Sequence, residues 1–137
     1  MVPIRSVEPA APDTDIRLMA GAALRAFFRI AEAWGLKSAE QRILLGSPPE
    51  STFFKWKRER DGSLPRDTFE RISYVLGIYK ALQLLFPDPV RADAWIRKPN
   101  TAEPFGGGSA LARMLSGQVA DLYVVREYLD GQRGGWG

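Results

Sequence analysis

Residues 38–60 read SAEQRILLGSPPESTFFKWKRER, and they contain the pattern of two short helices joined by a turn. Ser38 stands three residues before Gln41, which is the spacing of a capping box at the start of a helix. Gly46 is typical of a helix end, so the pattern predicts a short helix that runs from Ser38 to about Leu45.

A second short helix follows after a tight turn. Pro48-Pro49 marks the turn, and Pro49 suits the first turn of a helix over residues 51–58. Phe53 and Trp56 stand three residues apart, and aromatic residues at this spacing more often belong to a core than stack on nucleic-acid bases. Two short helices joined by a tight turn are typical of the helix-turn-helix motif, whose second helix enters the DNA major groove.

The second helix carries residue types that contact DNA. Small polar side chains at its start can reach base edges, and basic side chains further along can meet phosphates. Glu50 is unusual beside phosphates, but a carboxylate can accept a hydrogen bond from a cytosine amino group. Because so few residues give only weak sequence-specific recognition of DNA, we expect a dimer that binds two half-sites. The candidate DNA-binding residues are Glu50, Ser51, Thr52, Lys55, Lys57, Arg58 and Arg60.

Two longer helices flank this pair. Residues 16–34 carry one apolar stripe, and Gly35 is in the position that ends such a helix. Residues 66–86 carry two adjacent stripes, which predicts a helix shared by two packed regions, and Gly77 indicates a bend or a break in it. The first stripe is Met19, Ala23, Phe27, Ile30 and Trp34; the other two are Phe69, Ile72, Leu76 and Tyr79, and Val75, Ile78, Leu82 and Leu85.

The second half of the chain predicts three shorter helices. Asp88 and Ser109 are candidate N-caps for two of them. The last covers residues 119–129, and the glycine-rich residues 130–137 are expected to be irregular. Because no alternating β pattern appears, the predicted fold class is all-α. One face of the last helix is formed by Leu122, Val125 and Leu129.

The glycine run at residues 106–108 has two interpretations. Glycines before a helix can cradle a phosphate, but no strand precedes them and the lysine of a P-loop is absent. A loop that ends in the N-cap Ser109 is therefore favoured.

The composition argues against an enzyme. The 137 residues contain no cysteine and no histidine, which removes thiolate zinc sites and the commonest general base. The carboxylates show no spacing for a metal site or an acid–base pair, so we expect no catalytic residue, no metal and no cofactor. The sequence has no run of about 18 apolar residues, so no membrane span is predicted. Residues 1–15 lack a secretory-signal pattern and are expected to form a disordered lead into a cytoplasmic protein.

The basic charge is concentrated in one segment. The net charge is only +3, but residues 16–60 hold nine Lys and Arg against four acidic residues. Residues 81–137 hold six of each. A local basic cluster is the footprint of an anionic partner such as nucleic acid, although a solvated helix face has the same composition.

The second half also resembles a known family. The chain is similar to the Xre/MbcA/ParS antitoxins over residues 16–137, although Pro48-Pro49 replaces residues that are usually polar and Ala110 replaces a frequent proline. The stretches that carry the resemblance are RISYVLGIYKAL at 71–82, WIRKPN at 95–100, FGGGS at 105–109, MLSG at 114–117 and YLDGQRGGW at 128–136.

The resemblance implies a type II antitoxin that neutralises a RES-domain toxin, an enzyme that consumes NAD, and that represses its own operon by binding operator DNA. It implies a homodimer that joins the toxin in a larger hetero-oligomer. It also implies that the C-terminal segment, with Arg133 and Trp136, reaches toward the NAD pocket of the toxin. The corresponding domains are a lead at 1–15, a helix-turn-helix domain at 16–76 and a toxin-binding domain at 77–137.

Side chains suited to a protein interface fit this interpretation. Trp, Tyr and Arg dominate interface energetics, and we expect Val124 and Tyr128 to be exposed anchors. In the alternative interpretation Trp136 folds back on its own domain, and the protein is a stand-alone repressor whose C-terminal half dimerises or senses a ligand. The candidate toxin-binding residues are Trp95, Phe105, Val124, Tyr128, Arg133 and Trp136.

Overall fold

The computed structural model describes residues 13–135, and within this range the chain is all-α, as predicted. No strand occurs in the described part, where a single antiparallel bridge joins Pro99 to Ser109. The helices are α1 (Asp13–Ala33), α2 (Ser38–Leu44), α3 (Glu50–Glu59), α4 (Arg66–Leu85), α5 (Pro89–Ala94), a short 3-10 helix (Trp95–Arg97), α6 (Ala110–Met114) and α7 (Val119–Gly135).

Helix α4 is the shared element that its two apolar stripes predict. It packs against α1 on one side and α7 on another, and Ile72, Val75 and Leu82 are buried between them. The predicted break at Gly77 is wrong, because α4 runs through it without interruption. The glycine has a packing role instead: a Cβ at Gly77 would overlap the guanidinium of Arg126 on α7.

The N-terminal helix differs from its prediction at its start. Helix α1 includes Asp13, so part of the predicted lead at residues 1–15 is helical, while residues 1–12 lie outside the described range. Met19 was expected in the buried stripe but is 59% exposed. The core begins at Ala20 and Leu24.

The start of α2 is displaced by one residue from the predicted capping box. Lys37, not Ser38, is the N-cap, and its backbone N–H donates to Glu40 Oε1 at 2.8 Å. Gln41 is buried, and its side-chain Nε2 donates to the carbonyl of Leu36 at 2.8 Å. The side chain expected to close the capping box therefore ties α2 to the segment that follows α1.

Helix caps and loop glycines in the second half follow the favoured interpretation. Asp88 accepts from the N–H of Val90 at 3.1 Å, and Ser109 Oγ accepts from the N–H of Ala112 at 3.0 Å. The N–H groups of residues 106–108 all donate to backbone carbonyls of the same loop. They are therefore not available to cradle a phosphate.

The predicted irregular tail is wrong over most of its length, because α7 continues to Gly135. Asp130 forms ion pairs with Arg126 at 3.2 Å and Arg133 at 3.7 Å, both at helical spacing. Such pairs support a helix and offset part of the cost of its glycines, about 1 kcal/mol each. Trp136 and the interpretations that concern it lie outside the described residues.

Arg97 joins the two halves of the molecule. From the 3-10 helix its Nε and Nη2 donate to the carbonyl of Trp34 at 3.3 and 3.0 Å. Nη2 also donates to the carbonyl of Gly35 at 3.0 Å. A cation at the C-terminal end of α1 satisfies carbonyls that the helix itself leaves unpaired.

Candidate functional site

Helix α3 buries one side and presents the other to solvent. Phe53 and Trp56 are 1% and 6% exposed, and Phe53 packs near the ring of Phe28 on α1 at a centroid distance of 6.1 Å. The prediction that Phe53 and Trp56 point inward is confirmed. We call the opposite stripe, at positions i, i+3, i+4 and i+7, the outward face of α3; it comprises Ser51, Phe54, Lys55 and Arg58, all exposed.

The other candidate DNA-binding residues lie beside this face. Glu50 is exposed in the first turn of α3, where the helix dipole favours an acidic side chain. Thr52 is half-buried and lines a cleft with Arg17 of α1. The structure thus groups Ser51, Lys55 and Arg58 on one surface, while Thr52 lies at its side in a cleft that Lys55 also lines.

Lys57 and Arg60 are held on the edge of α3 that faces α2 and α1. Lys57 Nζ donates to Ser38 Oγ at 3.2 Å and lies 5.9 Å from the centre of the Phe53 ring. Arg60 ends α3 in the left-handed region, with φ at 52°, and its guanidinium lies 5.3 Å from the Phe28 ring. Both cations are therefore positioned for a contact at the side of the helix rather than at its outward face.

Sequence reasoning missed Phe54, which is 45% exposed on the outward face of α3. A helical wheel contains the signal: Phe54 stands three residues after Ser51 and four before Arg58, and so shares their side. The search for polar and basic types passed over an aromatic residue at that position.

In the second half, three candidate residues meet in one cluster. The rings of Trp95 and Tyr128 stack at 6.3 Å with an interplanar angle of 17°. Phe105 meets both rings edge-on, at 5.9 Å from Trp95 and 5.2 Å from Tyr128. We call these three half-buried side chains the aromatic cluster.

The aromatic cluster borders an apolar groove of about 180 Å³. The groove lies between the end of α4 and the last turns of α7, and its lining is Leu85, Phe86, Trp95, Tyr128, Leu129 and Gln132. Two rings of the cluster, Trp95 and Tyr128, form part of its wall. This surface can accept an apolar side chain from another molecule.

The expectation that Val124 and Tyr128 are exposed is wrong. Both side chains are half-buried on α7, and Tyr128 packs against the core as well as against the other rings of the cluster. Arg133 is exposed near the end of α7, about one turn beyond the aromatic cluster.

A polar network holds the start of α7 to α6. Asp121 accepts from Arg113 Nε at 2.8 Å and from Ser116 Oγ at 2.6 Å. The hydrogen bond from Ser116 and, next, that from Arg113 lower the pKa of Asp121 below its usual value. Further along α7, a hydrogen bond of 2.9 Å from Tyr123 to Glu127 raises the pKa of the tyrosine hydroxyl.

Neither a membrane-spanning helix nor a metal-binding group of side chains is found in the part of the chain that the structure describes. None of its helices combines the length and the apolar composition needed to cross a bilayer. Its Asp and Glu side chains do not gather in groups of three or more around a point where a metal ion could bind.

Comparison with known families assigns the outward face of α3 and the aromatic cluster to two different domains. Residues 15–77, which include the outward face of α3, match the antitoxin Xre-like helix-turn-helix domain. Residues 81–135, which include the aromatic cluster, match the antitoxin Xre/MbcA/ParS C-terminal toxin-binding domain. A helix-turn-helix domain followed by a toxin-binding domain defines an antitoxin, and this chain belongs to the Xre/MbcA/ParS antitoxin family.

One relative matches along nearly the whole chain. The uncharacterized protein y4oB of Sinorhizobium fredii is 52% identical over 133 residues, which cover 97% of this chain and 98% of the relative. The alignment therefore covers nearly all of both domains of this chain.

Proposed function

We propose that the protein is the antitoxin of a type II pair, that it neutralises a RES-domain toxin that consumes NAD, and that it represses its own operon. The observation that carries this proposal is the pairing, in one chain, of a basic exposed helix face and an open apolar groove lined by aromatic rings. The match of residues 81–135 to a toxin-binding domain supports a toxin partner over a stand-alone repressor.

In the proposed mechanism, the second half blocks the toxin by occupying its surface. The aromatic cluster and its groove receive an apolar side chain of the toxin, and Val124 adds a contact on the same helix. Arg133, near the end of α7, and Trp136, three residues later in the sequence, reach toward the NAD pocket, where a guanidinium pairs with anionic groups and an indole fills apolar space. Inhibition therefore requires no catalytic group on this chain.

The first half binds operator DNA through α3. Ser51 and Lys55 face base edges, with Glu50 at the rim, while Arg58 meets phosphate. Thr52, Lys57 and Arg60 contact the backbone from the two sides of the helix. A homodimer presents two such helices to two half-sites, and toxin binding builds a larger complex on the same DNA.

Co-expression tests both activities in one strain. The chain is expressed with the adjacent toxin gene, and growth, cellular NAD and a reporter driven by the upstream DNA are measured. We expect restored growth, preserved NAD and a silent reporter. Toxicity that persists at full antitoxin expression would contradict neutralisation, and an active reporter would contradict repression.

A further inference from the structure

Phe54 is an apolar side chain in an otherwise polar surface. It is 45% exposed, although neighbouring Phe53 is almost completely buried. The two rings meet edge-on at a centroid distance of 5.0 Å and an angle of 69°. Because Phe53 is held in the core, this contact restrains the Phe54 ring and keeps it projecting from α3.

The charges around Phe54 indicate the kind of partner that covers it. Lys55 and Arg58 share the outward face of α3 with it. If two copies of the chain met through Phe54, these cations would approach their equivalents in the second copy, and like charges at an interface oppose association. An anionic partner with an apolar group at its surface avoids this repulsion.

Duplex DNA combines these two properties in its major groove. Phosphates line the rim, and each thymine places a 5-methyl group in the groove, where apolar side chains can contact it. Phe54 is the fifth residue of α3, within the first two turns, which is the part of a recognition helix that approaches the bases.

We propose that Phe54 packs on the 5-methyl group of a thymine and is a specificity-determining residue of the DNA-binding surface. This inference rests on the proposed DNA-binding function and adds to it the chemistry of one base contact. Removing one buried methyl group is expected to weaken binding about fourfold.

Deoxyuridine provides the test, because it differs from thymidine only by lacking that methyl group. The full-length protein is footprinted on the DNA upstream of its own gene. Duplexes of the protected sequence are then made with single thymine-to-uracil replacements. Binding of the wild type, Phe54→Ala, Phe54→Leu and the control Leu84→Ala is measured at fixed salt, Leu84 being an exposed apolar residue on α4.

We expect the wild type and Leu84→Ala to lose about fourfold affinity when one particular thymine is replaced in either half-site. Phe54→Ala should bind the thymine duplex more weakly than the wild type does. It should bind the uracil duplex as tightly as it binds the thymine duplex. Phe54→Leu, which keeps an apolar group, should retain part of the discrimination. Thermal unfolding of each variant verifies that it is folded.

Two results would overturn the inference while leaving DNA binding intact. One is discrimination by Phe54→Ala equal to that of the wild type. The other is a Phe54→Ala protein that is monomeric under conditions where the wild type is dimeric, which would assign Phe54 to self-association. If the wild type binds no upstream duplex in a salt-dependent manner, the proposed repressor function is wrong and the inference falls with it.

Discussion

The outward face of α3 and the aromatic cluster present aromatic side chains in different ways. On α3, the lone Phe54 ring projects among basic and hydroxyl groups. In the second half, Trp95, Phe105 and Tyr128 pack on one another and leave a groove beside them. The first arrangement suits insertion of the Phe54 ring into a charged groove of a partner. The second suits binding of an apolar side chain that a partner inserts into this protein.

The charge distribution follows the same division. The nine Lys and Arg of residues 16–60 include four on α3 or at its end, namely Lys55, Lys57, Arg58 and Arg60, whereas residues 81–137 are balanced. In the second half, arginines are engaged by the chain itself: Arg113 with Asp121, Arg126 with Asp130, and Arg97 with carbonyls of α1. Cations committed to internal contacts leave that surface suited to a protein partner.

The largest expected effect separates the two surfaces by function. Trp95→Ala should weaken toxin binding about thirtyfold, or about 2 kcal/mol, because it removes a ring from both the aromatic cluster and the wall of the groove. Its affinity for operator DNA should remain that of the wild type. Titration calorimetry with the toxin and gel shifts with operator DNA measure the two affinities.

Arg58→Ala is the reciprocal control for Trp95→Ala. It should reduce DNA affinity, make the dependence of log K on log salt shallower by about one unit, and neutralise toxin normally. Parallel losses of both activities in either variant would show that the two surfaces do not act separately.

A smaller effect tests the connection between the halves. Arg97→Gln should lower the free energy of unfolding by about 1 kcal/mol, because it removes charged donors from the carbonyls of Trp34 and Gly35. Urea denaturation measures this loss. Arg91→Gln, at an exposed position on α5, is the matched control and should unfold like the wild type. Equal stability of all three proteins would mean that Arg97 does not stabilise the junction.

The smallest effect is a pH dependence confined to the second half. The folded chain lowers the pKa of Asp121 from its usual 3.8, so the native state binds fewer protons than the unfolded state at this group. Its stabilising contribution is therefore complete above that value and is lost as the pH falls through the folded pKa. Thermal unfolding should show the wild type more stable than Asp121→Asn near neutral pH, with the difference shrinking below about pH 4. A difference independent of pH would contradict this account.

The fold was predictable where local patterns agree with tertiary packing. The helix pair at α2 and α3 and the double stripe of α4 were read from spacing alone. The capping prediction failed by one residue because two overlapping pairs, Ser38 with Gln41 and Lys37 with Glu40, have the same spacing. Gln41 is instead needed at the junction with α1, which no local pattern reveals.

The candidate site was less predictable, because its burial depends on distant segments. Val124 and Tyr128 become half-buried only when α7 packs on α4 and the loop brings Phe105 beside Trp95. The glycine content of residues 130–135 suggested an irregular tail, while the ion pairs of Asp130 support a helix there. Phe54 was missed for a different reason. Its exposure on α3 follows from the helical wheel and needed no tertiary information, but only polar and basic residue types were considered as DNA contacts.

The uninterrupted α4 sets a fixed length scale for the molecule. Its 20 residues span about 30 Å, close to the length of one turn of B-DNA. Because this one helix packs against both α1 and α7, it holds the two halves of the molecule together through a shared element. In the proposed complex, toxins carried on successive half-sites are therefore positioned by the helical pitch of the DNA, and changing the half-site spacing by half a turn would place them on opposite sides of the duplex.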